Sequence, residues 1–313
     1  MLVTDLSPTD RSTDLYRDLM LHVRKQTDAV GRGEQISVRD TEPIAHRLLE
    51  EVTRSSGLLS TAMGYFDPLD FVVSHAANVA IYTLKMTLDM GLPERDIESA
   101  VIAAILHDVG FSRVPVYSRE SEKIQMCLED PLQALTGEDH QLVTRHPVYG
   151  HEAILPDDPR SELIADIILQ HHEKADGSGY PNGLMESEQH AQARIISIID
   201  TYEALVHPRP CRDALVPPQG IEAIKNQTRG AYSSDMIRAL LNSFSVYPVG
   251  HFVRLSNGAI GKVVETHREN PLQPVVELRF DQEGDPIDPP RQLDLSEEQM
   301  LSVKECLPRF RPS

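Results

Sequence analysis

The sequence predicts a mainly α-helical chain with a small β-rich appendage at its C-terminal end. Three observations predict it. Apolar residues recur at helical spacing from Asp14 to about Ser245. After Tyr247-Pro248-Val249-Gly250 the pattern changes to short alternating runs. Histidines and aspartates also follow or lie within the apolar stretches, which read together as one all-α domain. On this reading residues 1–55 form a short N-terminal helical region, residues 56–246 a helical bundle, and residues 247–313 a small β-barrel-like domain.

The elements follow in order. Asp14 to Arg24 carries Leu15, Leu19, Met20 and Val23 on one helical face, and Gly31-Arg32-Gly33 makes a turn. A second helix starts near Thr41, an N-cap with Pro43 close behind it, and runs through Ile44, Leu48, Leu49 and Val52. No chemistry is evident in this region; packing or homodimerisation is its default role. A long helix from about Pro68 to Met90 holds His75 among Phe71, Val72, Val79 and Tyr82, and Gly91-Leu92-Pro93 ends it. The next, Glu94 to Asp108, has Ile97, Ala100, Val101, Ala104 and Ile105 on one stripe and closes on His107-Asp108-Val109-Gly110. Residues 112–140 read as an irregular charged loop with a short helix near Lys123 to Leu128. His146 precedes Pro147, so it is extended or at a helix start. Leu163 to Leu169 suits a buried helix, and Ala193 to Val206 is apolar nearly all round. Helices near Gly220 to Asn226 and Ser234 to Ser245 complete the bundle. His251 to Leu255, Ala259 to Thr266 and Val275 to Phe280 read as strands, separated by Ser256-Asn257-Gly258 and Glu269-Asn270-Pro271.

Composition narrows the function classes. Of 313 residues 40% are hydrophobic, enough for one large core with attachments. No run of 18 apolar residues is present, and the polar start of the chain lacks the pattern of a signal peptide. Cys127, Cys211 and Cys306 are far apart and odd in number, which argues against a disulfide frame and fits a reducing cytoplasm. The formal net charge of −18 argues against a DNA- or RNA-binding surface. An anionic substrate would need local cations, either metal or clustered arginines.

The stretch His171-His172-Glu173-Lys174-Ala175-Asp176-Gly177-Ser178-Gly179-Tyr180-Pro181 organises the rest. A lone histidine at a helix end is ordinarily structural. Here two imidazoles are adjacent, and adjacent helical side chains point about 100° apart. Two metal ions side by side would give each a target. Asp108 can bridge two cations because a carboxylate has two oxygens to share. Asp200 sits in an apolar context and needs a cation or strong donors. The candidate metal ligands are therefore His75, His107, Asp108, His146, His171, His172 and Asp200. Nitrogen and oxygen ligands without thiolate suit iron, manganese or zinc. His151, five residues after His146, is left out. His22, His46, His140, His190, His207, His251 and His267 read as surface or local packing, Met86 and Met90 as core, and Glu283 to Asp288 as a solvated turn.

The order H…HD…HPxxG…HHExxDGxGYP…D resembles the HD-GYP branch of the HD metal-dependent phosphohydrolases, over about residues 68–215 and more weakly to 245. The resemblance implies an HD-type helical bundle with two divalent ions, iron or manganese, and a third in some members. It implies hydrolysis of cyclic di-GMP to pGpG or onward to GMP by a hydroxide activated between two metals. Carried over, His75, His107, Asp108 and Asp200 hold one metal, and His146, His171 and His172 the other, with Asp108 bridging and so catalytic. Tyr180, Arg209 and Arg212 match catalytic and substrate-contact positions. Pro181 and Glu203, the latter where the family commonly has Asp, belong to the same substrate shell. Diguanylate cyclase (GGDEF) proteins are the implied partners, and the C-terminal appendage is similar to one found after some HD-GYP domains.

Three departures bear on this. Phe71 stands where trinuclear members have a metal-binding Glu, and Asp70 is on the wrong face, which predicts two metals. Phe111 replaces the Lys of HDxGK, removing a cation; Arg113 is a candidate replacement. Cys211 stands where RPYR has Tyr. Two alternatives stay open: a cyclic di-GMP-sensing or adaptor module with little turnover, and a phosphohydrolase for another nucleotide.

Overall fold

The computed structural model describes residues 11–64, 71–114, 138–208, 213–227, 230–244, 247, 249–267, 270, 272–298 and 300–307. The expected helix at Lys123 to Leu128 lies outside them, as do Asp70, Arg209, Cys211 and Arg212.

The helices are α1 (Arg11–Gly31), α2 (Glu42–Arg54), α3 (Gly57–Gly64), α4 (Phe71–Asp89), α5 (Glu94–Leu106), α6 (Glu138–Val143), α7 (His146–Ala153), α8 (Ser161–Gln170), α9 (Ala191–Val206), α10 (Pro217–Gln227) and α11 (Ser234–Ser243). α4 is buried on every side from Phe71 to Leu84, which explains its lack of a polar face. It packs against α5, α9, α1, α11 and α3. α1 is amphipathic and buries Leu15, Tyr16, Leu19, Val23 and Val30. These residues share one continuous core with α4, α5, α8 and α9, so the N-terminal helices are walls of the bundle itself. α3 was not legible in the sequence: it is short and has glycine at both ends, the poorest helix former after proline.

Two glycines set the spacing near the site. A Cβ on Gly110 would lie 2.0 Å from the His146 carbonyl oxygen and 2.5 Å from the Gly150 nitrogen. A Cβ on Gly150 would lie 2.8 Å from Ile168 Cγ2. The short turn Val109–Arg113 therefore rests its backbone directly on α7, and α7 lies close on α8. This close stacking draws the ends of α5 and α8 and the start of α7 together.

The C-terminal part is an antiparallel sheet of β1 (Phe252–Leu255), β2 (Ile260–Glu265), β3 (Val275–Phe280), β4 (Pro286–Asp294) and β5 (Val303–Leu307), in the order β4-β3-β2-β1-β5. It is open: β4 and β5 are its edges, which corrects the barrel-like expectation. β4 carries Pro286, Pro289 and Pro290, which hid it in the sequence; an edge tolerates proline because one side of the strand makes no ladder bonds. The solvated turn expected over Glu283 to Asp288 ends at Asp285, where the backbone nitrogens of Glu283 and Asp285 donate to Asp281 Oδ1 at 3.0 and 2.8 Å. Val253, Leu255, Val263, Val276, Leu295 and Cys306 make a second small core that also takes in Val216 of the bundle. No helix among the described residues is long and apolar enough to cross a membrane.

α1 is tied to the end of α2 by Glu51, whose side chain is fully buried. It accepts from Ser12 Oγ at 2.7 Å, Arg54 Nη2 at 2.7 Å and Ser55 Oγ at 3.0 Å. Burial alone would raise its pKa, but the donors of Arg54, Ser12 and Ser55 outweigh it and hold the carboxyl below its ordinary value. Glu51→Gln is expected to cost about 2 kcal/mol at neutral pH, the scale of hydrogen bonds to a charged group. The folded pKa lies below the unfolded one, so this stability is present above the unfolded value and lost as pH falls through the folded value. Urea unfolding of both proteins across that window checks it: the difference should shrink on acidification, and a gap independent of pH would contradict it.

Candidate metal centre

Three of the histidines owe their orientation to helix ends. His107 caps the end of α5, and its Nδ1 lies 2.8 Å from the Ala104 carbonyl oxygen. His171 does the same at the end of α8 with Ile168, at 2.6 Å. His146 opens α7 and uses Val143, the last residue of α6, at 2.7 Å. The last carbonyls of a helix lack intrahelical partners, so a ring nitrogen can donate to them. A carbonyl only accepts, so Nδ1 carries the proton in each case and Nε2 presents its lone pair inward. His75 stands inside α4, where the carbonyls are already used. Its Nδ1 pairs instead with Glu203 Oε2 of α9.

All these Nε2 atoms converge on Asp108, which is 4% exposed. Asp108 Oδ1 lies 3.4 Å from His146 Nε2 and 3.6 Å from His171 Nε2. Those two nitrogens are 3.2 Å apart. Asp108 Oδ2 lies 3.2 Å from His107 Nε2 and 3.7 Å from His75 Nε2. His75 Nε2 is 3.0 Å from Asp200 Oδ1, and Asp200 Oδ2 is 3.7 Å from His172 Nδ1. Two groups of potential ligand atoms result: Asp108, His146, His171 and His172, and His75, His107 and Asp108.

The chemistry of this set fits divalent cations. Lone pairs and carboxylate oxygens face one another, and a positive charge must lie among them. Asp108 Oδ1 and His107 Nε2 are buried with no hydrogen-bond partner, a costly state unless a cation completes them. The electrostatics agree. Burial would lower the pKa of His75, yet Glu203 and Asp200 hold it well above its ordinary value. Asp108 raises His107 against burial in the same way. Surroundings that favour an imidazolium also favour a metal ion. On the other side burial, His171 and His146 push His172 well down, and burial also lowers His171. Both stay neutral at pH 7, as ligation requires. Burial opposes ionisation of Asp108 and Asp200, but the surrounding imidazoles depress both carboxyls strongly.

The stretch after His172 is built to hold still. Glu173, 1% exposed, accepts from the backbone nitrogens of Asn182 at 2.7 Å and Leu184 at 2.9 Å. A Cβ on Gly179 would meet the His172 carbonyl oxygen at 2.4 Å, so only glycine lets the loop fold back this far. The fold-back sets the Tyr180 ring 4.7 Å from that of His172, half-buried at the edge of the centre, with Pro181 beside it.

The departures noted in the sequence have defined places. Phe111, 2% exposed, stacks on His146 with centroids 3.8 Å apart and planes 14° from parallel. Phe71 stacks on His75 at 5.8 Å. Arg113 does not replace the missing cation: it lies over the Tyr149 ring and donates to Glu152 at 3.1 Å. Glu203, expected among the substrate contacts, is 1% exposed and sits behind His75, so its place is that of a carboxylate orienting the His75 ring. Burial opposes its ionisation, but His75 and His207 bring its pKa down to about 2. His207, read from the sequence as surface or packing, is buried with Nδ1 3.2 Å from Glu203 Oε1. His207 follows Glu203 by four residues, a spacing that could have flagged the pair. Asn78, which the sequence did not single out, donates to Glu203 Oε1 at 2.9 Å.

The HD domain family matches residues 65–235, and a KOW domain associated with HD domains matches residues 252–309. The cyclic di-GMP phosphodiesterase PA4108 of Pseudomonas aeruginosa is 28% identical over 79% of this chain and 57% of its own length. The cyclic di-GMP phosphodiesterase PdeB of Borreliella burgdorferi is 25% identical over 66% of this chain and 52% of its own. The 3'3'-cGAMP-specific phosphodiesterase 2 of Vibrio cholerae is 28% identical over 56% of this chain and 32% of its own. The chain thus spans about half the length of the first two relatives and a third of the last. Among solved structures, Bd1817, an HD-GYP-type protein from Bdellovibrio bacteriovorus, shares the fold with a TM-score of 0.60 at 18% identity, covering 75% of this chain and 73% of its own. With the HD match covering more than half of its residues and the signature from His171 to Pro181 intact, the chain belongs to the HD domain family, in its HD-GYP branch.

Proposed function

We propose that this chain is a cyclic di-GMP phosphodiesterase whose two divalent ions, iron or manganese, are held by His75, His107, Asp108 and Asp200 and by Asp108, His146, His171 and His172. The observation that carries the reading is the Asp108 carboxylate, each oxygen facing its own set of imidazole lone pairs. Such paired ions polarise a phosphoryl oxygen and lower the pKa of a bound water. The remaining work falls to the chain. Asp108 fixes the spacing of the two sets. The three carbonyl-bonded histidines keep their lone pairs inward without rotating. Tyr180 and Pro181 form the rim against which the nucleotide settles. Arg209 and Arg212 offer planar forks of donors to phosphate oxygens. The proposed product is pGpG or, after a second cleavage, GMP. The reaction belongs in the cytoplasm, consuming what GGDEF cyclases make.

Two observations support second readings. Several relatives are named as specific for 3'3'-cGAMP, so a guanine–adenine dinucleotide is the nearest competing substrate. Phe111 puts an apolar ring where a phosphate-facing cation is usual, which favours a module that binds cyclic di-GMP with little turnover. One experiment separates them: anaerobic purification with elemental analysis, then parallel turnover assays with both dinucleotides. About two metals per chain and pGpG or GMP from cyclic di-GMP support the proposal. Faster cleavage of 3'3'-cGAMP reassigns the substrate, and two metals with binding alone reassign the protein as a sensor.

Asp108→Ala is expected to bring metal content below one per chain and turnover down by more than about a hundredfold, the upper end for losing even an outer partner of a ligand. Full activity in that variant would refute the site. Tyr180→Phe should keep both metals and raise KM by about three- to tenfold, the worth of one net hydrogen bond. Metal analysis beside steady-state kinetics checks it; loss of metal would make Tyr180 a structural residue.

A further inference from the structure

The pairing of His75 with Glu203 does not end there. Glu203 Oε1 accepts from Asn78 Nδ2 at 2.9 Å. Asn78 Oδ1 accepts from the Tyr16 hydroxyl at 2.8 Å. Tyr16, Asn78, Glu203 and His75 are each 1% exposed. Tyr16 belongs to α1, outside residues 65–235 that match the HD domain.

The chain of bonds has a direction. A carboxylate only accepts, so the Asn78 amide must turn its NH2 to Glu203 and its oxygen to Tyr16. The Tyr16 hydroxyl must then donate. Reversing the amide would set its oxygen against the Glu203 carboxylate. In order, Tyr16 O–H holds Asn78, Asn78 N–H holds Glu203, and Glu203 receives His75 Nδ1–H. The far end of the chain is the His75 Nε2 lone pair beside Asp108 Oδ2 and Asp200 Oδ1. The other carbonyl-bonded ligands are oriented by their own local backbone. His75, inside α4, is oriented from α1 and α9.

We infer that Tyr16 is a positioning residue of the metal centre, setting the orientation of His75 through Asn78 and Glu203, so that the N-terminal helix is a working part of the site. The inference rests on the metal-centre reading above. Replacing the hydroxyl leaves the Asn78 oxygen buried and unpaired and frees the amide to turn. The loss then appears as weaker metal binding where His75 is a ligand, and not at His146, His171 and His172.

The test is manganese(II) titration of the full chain, followed by calorimetry and by the electron paramagnetic resonance of free manganese. Tyr16→Phe keeps the ring and its packing. It is expected to weaken one of two binding steps about tenfold, the lower end for loss of an outer partner, and to leave the other unchanged. Asn78→Ala, which breaks the chain without touching α1, should weaken the same step. Leu15→Ala, a packing change on the same helix, should lower the melting temperature and leave both steps alone. If both chain-breaking variants bind manganese as the unmodified protein does, the inference is overturned and the metal centre stands. If Tyr16→Phe does not fold, Asn78→Ala decides alone. No binding by the unmodified protein overturns the metal-centre reading, and this inference with it.

Discussion

The structure depends on one carboxylate in a place where a carboxylate should not be comfortable. Asp108 is 4% exposed and faces imidazole nitrogens whose protons are committed elsewhere. An isolated carboxylate so buried would take up a proton instead of remaining charged. Here burial, which favours the protonated form, is outweighed by the positive charge of a protonated His107, and a bound cation would act in the same way. The helix ends deliver those imidazoles, and the two glycines let the helix ends meet. Gly110 permits the turn after Asp108 to touch the backbone of His146, and Gly150 permits α7 to touch α8. A methyl group at Gly110 would part the two oxygens' sets of ligands before any ligand was changed. The short motifs therefore carry two kinds of information: which atoms bind, and how close the backbones stand.

Much of this was legible in the sequence, and the reason is physical. Helix ends expose carbonyls that fix a histidine tautomer, so a ligand histidine at a helix end leaves a local trace: an apolar run that stops at His107 or His171. The parts that were not legible are those without a local trace. Tyr16, Asn78 and Glu203 lie far apart in the chain and meet only because α1, α4 and α9 pack together. Tyr16 and Asn78 carry no motif of their own, and Glu203 was legible only as a position of the family's substrate shell, not as the partner of His75. β4 was hidden because its prolines argue against a strand, and only its position at the sheet edge makes them acceptable. Neither the openness of the sheet nor the sharing of one core by α1 and the bundle follows from periodicity, which reports a buried face without saying what buries it.

The acidic balance of the chain sharpens what the centre has to do. A net charge of −18 opposes the approach of a phosphodiester. The centre adds three ionised carboxylates, Asp108, Asp200 and Glu203, which His75 and His107, both raised in pKa, offset in part. On the two-metal proposal, with every ligand histidine neutral, two divalent ions outweigh the three carboxylates, whereas a single one leaves the centre negative. One ion would make the centre a metal site; only the second makes it a site for an anion. The same reasoning weighs Phe111. A lysine there would add one positive charge beside His146, and the phenyl ring adds none, offering a flat apolar face that fixes the imidazole plane instead. Phe111 thus gives the imidazole a packing partner and no charge. On the proposed function, attraction of the phosphate would come from the bound ions and from arginine, and its strength should depend on full occupation of both metal positions far more than in a site with a lysine of its own.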